Sequence, residues 1–296
     1  MAVQYEAKQC LMQMVLKIGM MQKTWLLAAS LLDNYCKRDP AGMDLESLPF
    51  ICSSIVRILA KADGCGPFHI CVFEREEAGL VKVITFTLGH KDLVYKPVTA
   101  AERHTYEKRV LEALDWRVEG LTPESWISAF CTRLNAMTED RLQSHFVWVW
   151  HRSFNIAIEV VMLCNSFEYL PPQAMARAVV ALAACAAGLL PLQSLRPEKV
   201  SVQDWEALSL RSPLAHPAQP CKLDSETKAV LERVFEAATM CDMDTMKDDC
   251  HSMLQVFAGM ASRATPATPE ATPLTPASKT PPAAIGAVGQ VRRVEL

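Results

Sequence analysis

The sequence predicts an all-α chain of two successive five-helix sets, followed by a tail that does not fold. Three observations predict this. Apolar residues recur three and four apart from the first residues to about residue 260, the period of amphipathic helices. Two of these segments are preceded by a Ser or Thr with an acidic residue three positions later, a helix-start signal. Half the residues are hydrophobic and 21% are charged, enough for a sizeable core and incompatible with wholesale disorder.

In the first set, residues 3–20 place Ala7, Cys10, Leu11, Met14, Val15 and Ile18 on one helical stripe. The segment "TWLLAASLLDNYC" (24–36) is apolar nearly all round, which predicts a central position. "LESLPFICSSIVRILAKAD" (45–63) is the third helix, with Pro49 tolerated in its first turn. A departure follows: "FHICVFEREEAGLVKVITFTLGHKDLVY" (68–95) is rich in Val, Ile, Thr and Phe around a turn-like EREEAG. It reads as a β-hairpin or an ordered excursion, an insertion spanning about 64–98. Thr99 and Glu102 then form a T-x-x-E capping box that opens the fourth helix. There Tyr106, Val110 and Leu114 face inward, Lys108, Arg109 and Glu112 stay wet, and Glu107 has no evident partner. Thr122 caps the fifth helix, with Pro123 at its first position.

The second set contains a long helix at about 142–165, an alanine-rich helix after Pro171 and Pro172, and a shorter one after Ser201, capped with Asp204. "SETKAVLERVFEAATM" (225–240) and "MDTMKDDCHSMLQVFAGM" (243–260) complete it. The boundaries expected are 1–138 for the first set, 139–262 for the second and 263–296 for the tail. The Pro-, Thr- and Ala-rich tail cannot bury enough apolar surface to offset chain entropy.

Composition also excludes function classes. A net charge of −3 and a pI near 6.2 argue against a nucleic-acid binder. The eleven cysteines form no CxxC pair and read as small buried hydrophobes in a reducing compartment, so neither a disulfide framework nor a zinc site is expected. "AMARAVVALAACAAGLLPL" (174–192) approaches membrane-span length, but Arg177 interrupts it, so no membrane association is expected. No Gly-rich phosphate loop, GxSxG or HExxH is present, and no cofactor is implied. Cys131 with His104, or Cys250 with His251, are the Cys–His pairs on which a catalytic reading would have to rest.

With these residues, the two sets resemble the cyclins. "LLDNYC" (31–36) is similar to the family's tyrosine–leucine–aspartate–arginine–phenylalanine segment, with Asp33 in the aspartate place. "VRILAK" (56–61) resembles the alanine–serine–lysine that ends its third helix, and "YEKRVLEALDWRVEGLTPESWISAF" (106–130) its fourth helix and the start of its fifth. "FEYLPPQAMARAVVALA" (167–183) and "CDMDTMKDDCHSMLQVFAG" (241–259) resemble second-repeat segments, the latter of D-type cyclins. The resemblance implies two tandem cyclin-box repeats. It implies a non-catalytic regulatory subunit that binds and activates a cyclin-dependent Ser/Thr protein kinase as a heterodimer to control the cell cycle, in the nucleus or the cytoplasm. It places the two residues that grip the backbone of the kinase's regulatory helix region at Lys61 and Glu107.

The chain also departs from the family. Val3, Gln4, Ala7 and Cys10 stand where many cyclins carry a Met-Arg-x-x-Leu-x-x-x-Trp docking patch. Lys61 and Glu107 are unusually far apart in sequence because of the insertion. The chain begins almost at its first helix, where mitotic cyclins carry an extension with a destruction box. Turnover is then expected to use the tail: Thr265, Thr268, Thr272, Thr275 and Thr280 each precede proline, and "PATPEAT" (266–272) resembles a phosphodegron read by an F-box ubiquitin ligase. The alternative is a non-activating scaffold or transcription-related adaptor on the same fold.

Overall fold

The computed structural model describes residues 2–17, 19–20, 22–39, 47–62, 99–118, 120–163, 170–210 and 223–264. Ten α-helices and no strand occur among them. They are α1 (Ala2–Lys17), α2 (Gln22–Arg38), α3 (Leu48–Ala62), α4 (Ala100–Ala113), α5 (Pro123–Met137), α6 (Gln143–Leu163), α7 (Pro172–Ala186), α8 (Val202–Leu210), α9 (Ser225–Thr239) and α10 (Met243–Ala264), with a short 3₁₀ turn at Leu192–Leu195. The chain is all-α as expected. The hairpin expected at 68–95 and the five Thr-Pro sites of the tail lie outside the described residues.

Local chemistry explains where several helices start. Glu102 N–H donates to Thr99 Oγ1 at 3.2 Å while Thr99 N–H donates to Glu102 Oε2 at 2.7 Å, so both halves of the expected capping box are made. Thr122 Oγ1 accepts from Ser125 N–H at the head of α5, ahead of Pro123. Asp204 N–H donates to Ser201 Oγ at 3.1 Å before α8. Asp224 and Asp242 serve α9 and α10 in the same way, accepting from Thr227 and Thr245 N–H at 2.7 and 2.8 Å. These backbone hydrogen bonds hold both carboxyls below the usual aspartate range.

Packing sorts the helices around two enclosed ones. In the N-terminal part α3 lies against α1, α2 and α4, and it is buried from Leu48 to Ala60 except at Phe50, including Ser53, Ser54 and Arg57. The segment 24–36 of α2 is central as expected: apart from the half-buried Leu27 and Ser30 and the exposed Asn34 it is buried, and α2 touches α1, α3, α4, α5 and α6. Its charged ends, Lys23, Lys37 and Arg38, stay in water, and α3 is enclosed along more of its length. In the C-terminal part the alanine-rich α7 lies against α5, α6 and α10. Its small side chains let three neighbours approach closely, and its single charge, Arg177, is met by Asp249 of α10 at 2.8 Å. No described helix is long and apolar enough to cross a membrane.

The stripe expected on α1 is buried at Ala7, Cys10, Leu11, Met14 and Val15. Beside it, unexpectedly, lies a fully enclosed lysine. Lys8 is 0% exposed; its Nζ donates to Asp33 Oδ2 of α2 at 2.8 Å and to the Val161 carbonyl of α6 at 3.1 Å. That carbonyl belongs to the last turn of α6, where a helix leaves acceptors without intrahelical donors and concentrates negative charge. Trp25 Nε1 donates to the Lys8 carbonyl at 3.1 Å and packs the other side. One ammonium thus ties α1 to α2 and both to α6.

Removing one partner strands the other without water. Lys8→Ala is expected to cost about 3–5 kcal/mol in urea unfolding, whereas the double change Lys8→Met/Asp33→Leu should recover most of that loss. A Lys8→Ala chain as stable as wild type would contradict the tie.

Candidate protein-binding site

The site is built where α4 crosses α3. Tyr106 stacks on Phe50 near the start of α3, with ring centroids 5.2 Å apart. Its neighbour Glu107 points about 100° further round α4 and so meets the far end of α3. There Glu107 Oε1 lies 3.2 Å from Arg57 Nε and Oε2 lies 2.7 Å from Lys61 Nζ. Arg57 and Lys61 are one turn apart on α3, so a single carboxylate can serve both, one oxygen each. The two residues singled out in the sequence, Lys61 and Glu107, are therefore brought together from 46 positions apart. Glu107 has partners, and it is a buried carboxylate rather than an unpaired surface acid.

The three side chains are graded in exposure. Arg57 is 8% exposed, Glu107 11% and Lys61 44%. Glu107 is thus neutralised from beneath by Arg57 and holds Lys61 from above. Among the described residues two cations share this one carboxylate, and only Lys61 reaches the surface. The Lys61 ammonium has three N–H donors. One is engaged by Glu107, and among the described residues no second partner takes the others. An ammonium held in one place with donors still available suits an incoming acceptor such as a main-chain carbonyl.

Apolar residues follow Glu107 along α4 and past its end. Leu111, one turn beyond Glu107 on α4, is half-buried, as is Val118. Between them, α4 ends in two successive left-handed residues, Asp115 at φ 51° and Trp116 at φ 60°, with Trp116 N–H donating to the Leu111 carbonyl at 2.8 Å. Left-handed backbone is uncommon outside glycine and is an outlier for a bulky side chain. Trp116 is also 64% exposed, in a fold that buries Trp25 and Trp205 completely. Sequence reasoning passed over Arg57 and Trp116. The i, i+4 repeat of cations at 57 and 61 was a signal for the first; nothing local distinguishes Trp116 from a core tryptophan.

Asp33 is in the buried tie to Lys8. Burial pushes the Cys131 thiol up to about 12 and raises Cys250 well above its ordinary value. His104 lies exposed on α4, and His251 sits 6.5 Å from the Trp205 ring. Such thiols hold little thiolate near neutrality. Among the described residues no group of three or more His, Cys, Asp or Glu is placed to hold a metal ion.

The graded burial predicts unequal effects on stability. Arg57→Ala, which leaves the buried Glu107 only the solvent-screened Lys61 as partner, is expected to cost about 3–5 kcal/mol. Lys61→Ala, which removes a solvent-screened partner, should cost about 1 kcal/mol or less. Parallel urea titrations check this, and equal losses would contradict the layering of the three charges. No model of a known protein family matches the chain and no curated protein matches it, which leaves residues and geometry to carry the assignment of function.

Proposed function

We propose that the chain is a cyclin-like regulatory subunit that binds a cyclin-dependent Ser/Thr protein kinase through the α3–α4 face and activates it in trans. The observation that carries this reading is the convergence of Lys61 and Glu107, 2.7 Å apart at the rim of α3 and α4. Further support comes from the five-plus-five helix order in which α1–α5 and α6–α10 follow one another, each part holding one strongly enclosed helix. On this reading each set is a cyclin-box repeat. Lys61 donates to main-chain carbonyls of the kinase's regulatory helix region, Glu107 accepts a main-chain N–H, and Leu111 and Trp116 provide the apolar contact beside them.

Activation then needs no chemistry from this chain. An active kinase requires its β3 lysine paired with the glutamate of its mobile αC helix. A partner that binds the helix-in state more tightly shifts the population towards it. Reversing a 1:99 ratio takes roughly 5.5 kcal/mol of differential affinity. An interface of ordinary size is capable of supplying it.

Lys61→Ala is the cleanest test, because its expected effect on folding is small. Co-purification of the kinase from cells, followed by a phosphorylation assay, should show binding weakened by about 2–5 kcal/mol, with kinase activity lost in parallel. Binding as tight as wild type in both Lys61→Ala and Trp116→Ala would overturn the reading. Binding without stimulation would mean a scaffold on the same fold.

A further inference from the structure

A second surface lies on α2, beside the connection from α4 to α5. Leu27, Ser30, Leu31 and Asn34 follow one another at spacings of three, one and three along α2, and Arg38 continues the line one turn later. Across from them stand Leu114, Arg117 and Gly120, and the space between is a cavity of about 220 Å³. Its floor is apolar: Leu31 and Leu114 are buried and Leu27 is half-buried. Its rim is polar at Ser30 and Asn34 and cationic at Arg38 and Arg117. Leu121, next to Gly120 in the chain, is 65% exposed.

The charges at the rim are not balanced. Arg38 donates to the Asp115 carboxylate and, at 3.2 Å, to the Ala113 carbonyl, which fixes its guanidinium at the mouth. Arg117 is exposed and makes no ion pair among the described residues. Among the described residues two guanidiniums therefore face one carboxylate at the mouth, above an aliphatic floor. Such a site discriminates by both features at once. An aliphatic side chain fills the floor, and an acidic group beside it meets Arg117 and Arg38 in the forked geometry that guanidinium offers carboxylates.

We infer that this cavity docks a short linear segment of another protein, one in which a leucine-sized aliphatic side chain is followed closely by carboxylates. Docking here goes beyond kinase binding and is read on the free chain without a kinase, although Leu114 and Arg117 flank the Trp116 contact of that reading. A cavity of this volume takes one side chain and not a folded domain, so affinity comes from one anchor and its charged neighbours.

The geometry supplies variants that leave the fold alone. A Cβ built on Gly120 meets nothing within 4 Å, so Gly120→Phe should occupy the mouth without displacing neighbours. Arg117→Glu reverses an exposed, unpaired charge. Fluorescence anisotropy on the full chain would use a labelled heptapeptide carrying one leucine and two glutamates, with the leucine replaced by alanine, or the glutamates by lysines, as controls. Each control peptide should bind about tenfold more weakly. Gly120→Phe should lower affinity by a similar factor, and Arg117→Glu should do so while removing most of the salt dependence. Thermal unfolding identical to wild type would confirm that both variants are folded. The inference is overturned if the leucine and alanine peptides bind alike, or if folded Gly120→Phe and Arg117→Glu bind the leucine peptide as wild type does.

Discussion

A lysine enclosed away from water sets the geometry on which the rest of this molecule is arranged. Lys8 cannot remain charged in the interior without full compensation, and compensation is available only where α1, α2 and the last turn of α6 meet. The pair is a constraint more than a source of stability, since well-packed apolar residues of similar volume would do as well or better energetically. What it provides is registry: α1 cannot slide on α2, nor either on α6, without stranding a charge. Helix α3 is laid on α1 and α2, and α4 on α3. The positions of Arg57, Lys61 and Glu107 are thus inherited, through two layers of packing, from the seat of Lys8.

The same logic recurs at the proposed interface, with one cation moved outward. Arg57 satisfies Glu107 from within, so the carboxylate has no need to capture Lys61 completely, and Lys61 stays partly in water with donors directed outwards. Had Arg57 been apolar, Glu107 would depend on Lys61 alone, and recruiting a partner would compete with the stability of the fold. Layering the charges by depth separates the two roles. The strained pair Asp115–Trp116 fits the same division: left-handed backbone at a bulky residue is held because it ends α4 with a tryptophan face in solvent instead of in the core.

Much of the architecture was legible in the sequence because it is governed locally. The capping pair Thr99 and Glu102, the Thr122–Pro123 start and the buried stripe of α1 each depend on residues within a few positions of one another. What was not legible depends on distant partners. Lys8 stands beside an apolar stripe and by residue type belongs in water; only Asp33, and Val161 some 153 positions away, make its burial tolerable. Glu107 seemed solitary because its partners Arg57 and Lys61 stand on another helix, Lys61 46 positions away. Resemblance to a family singled out Lys61 and Glu107, and geometry alone identified Arg57 as the residue that shares Glu107 with Lys61.

On the proposed reading the α3–α4 face, with Lys61 held at its rim, is where a kinase is gripped. Hydrogen–deuterium exchange on the full chain, alone and bound to the kinase that co-purifies with it, tests this most directly. The account predicts slowed exchange in the last two turns of α3 and from about residue 103 through the end of α4 to residue 118, with little change in α9 and α10. Protection confined to α6–α10, with α3 and α4 exchanging as in the free chain, would contradict it.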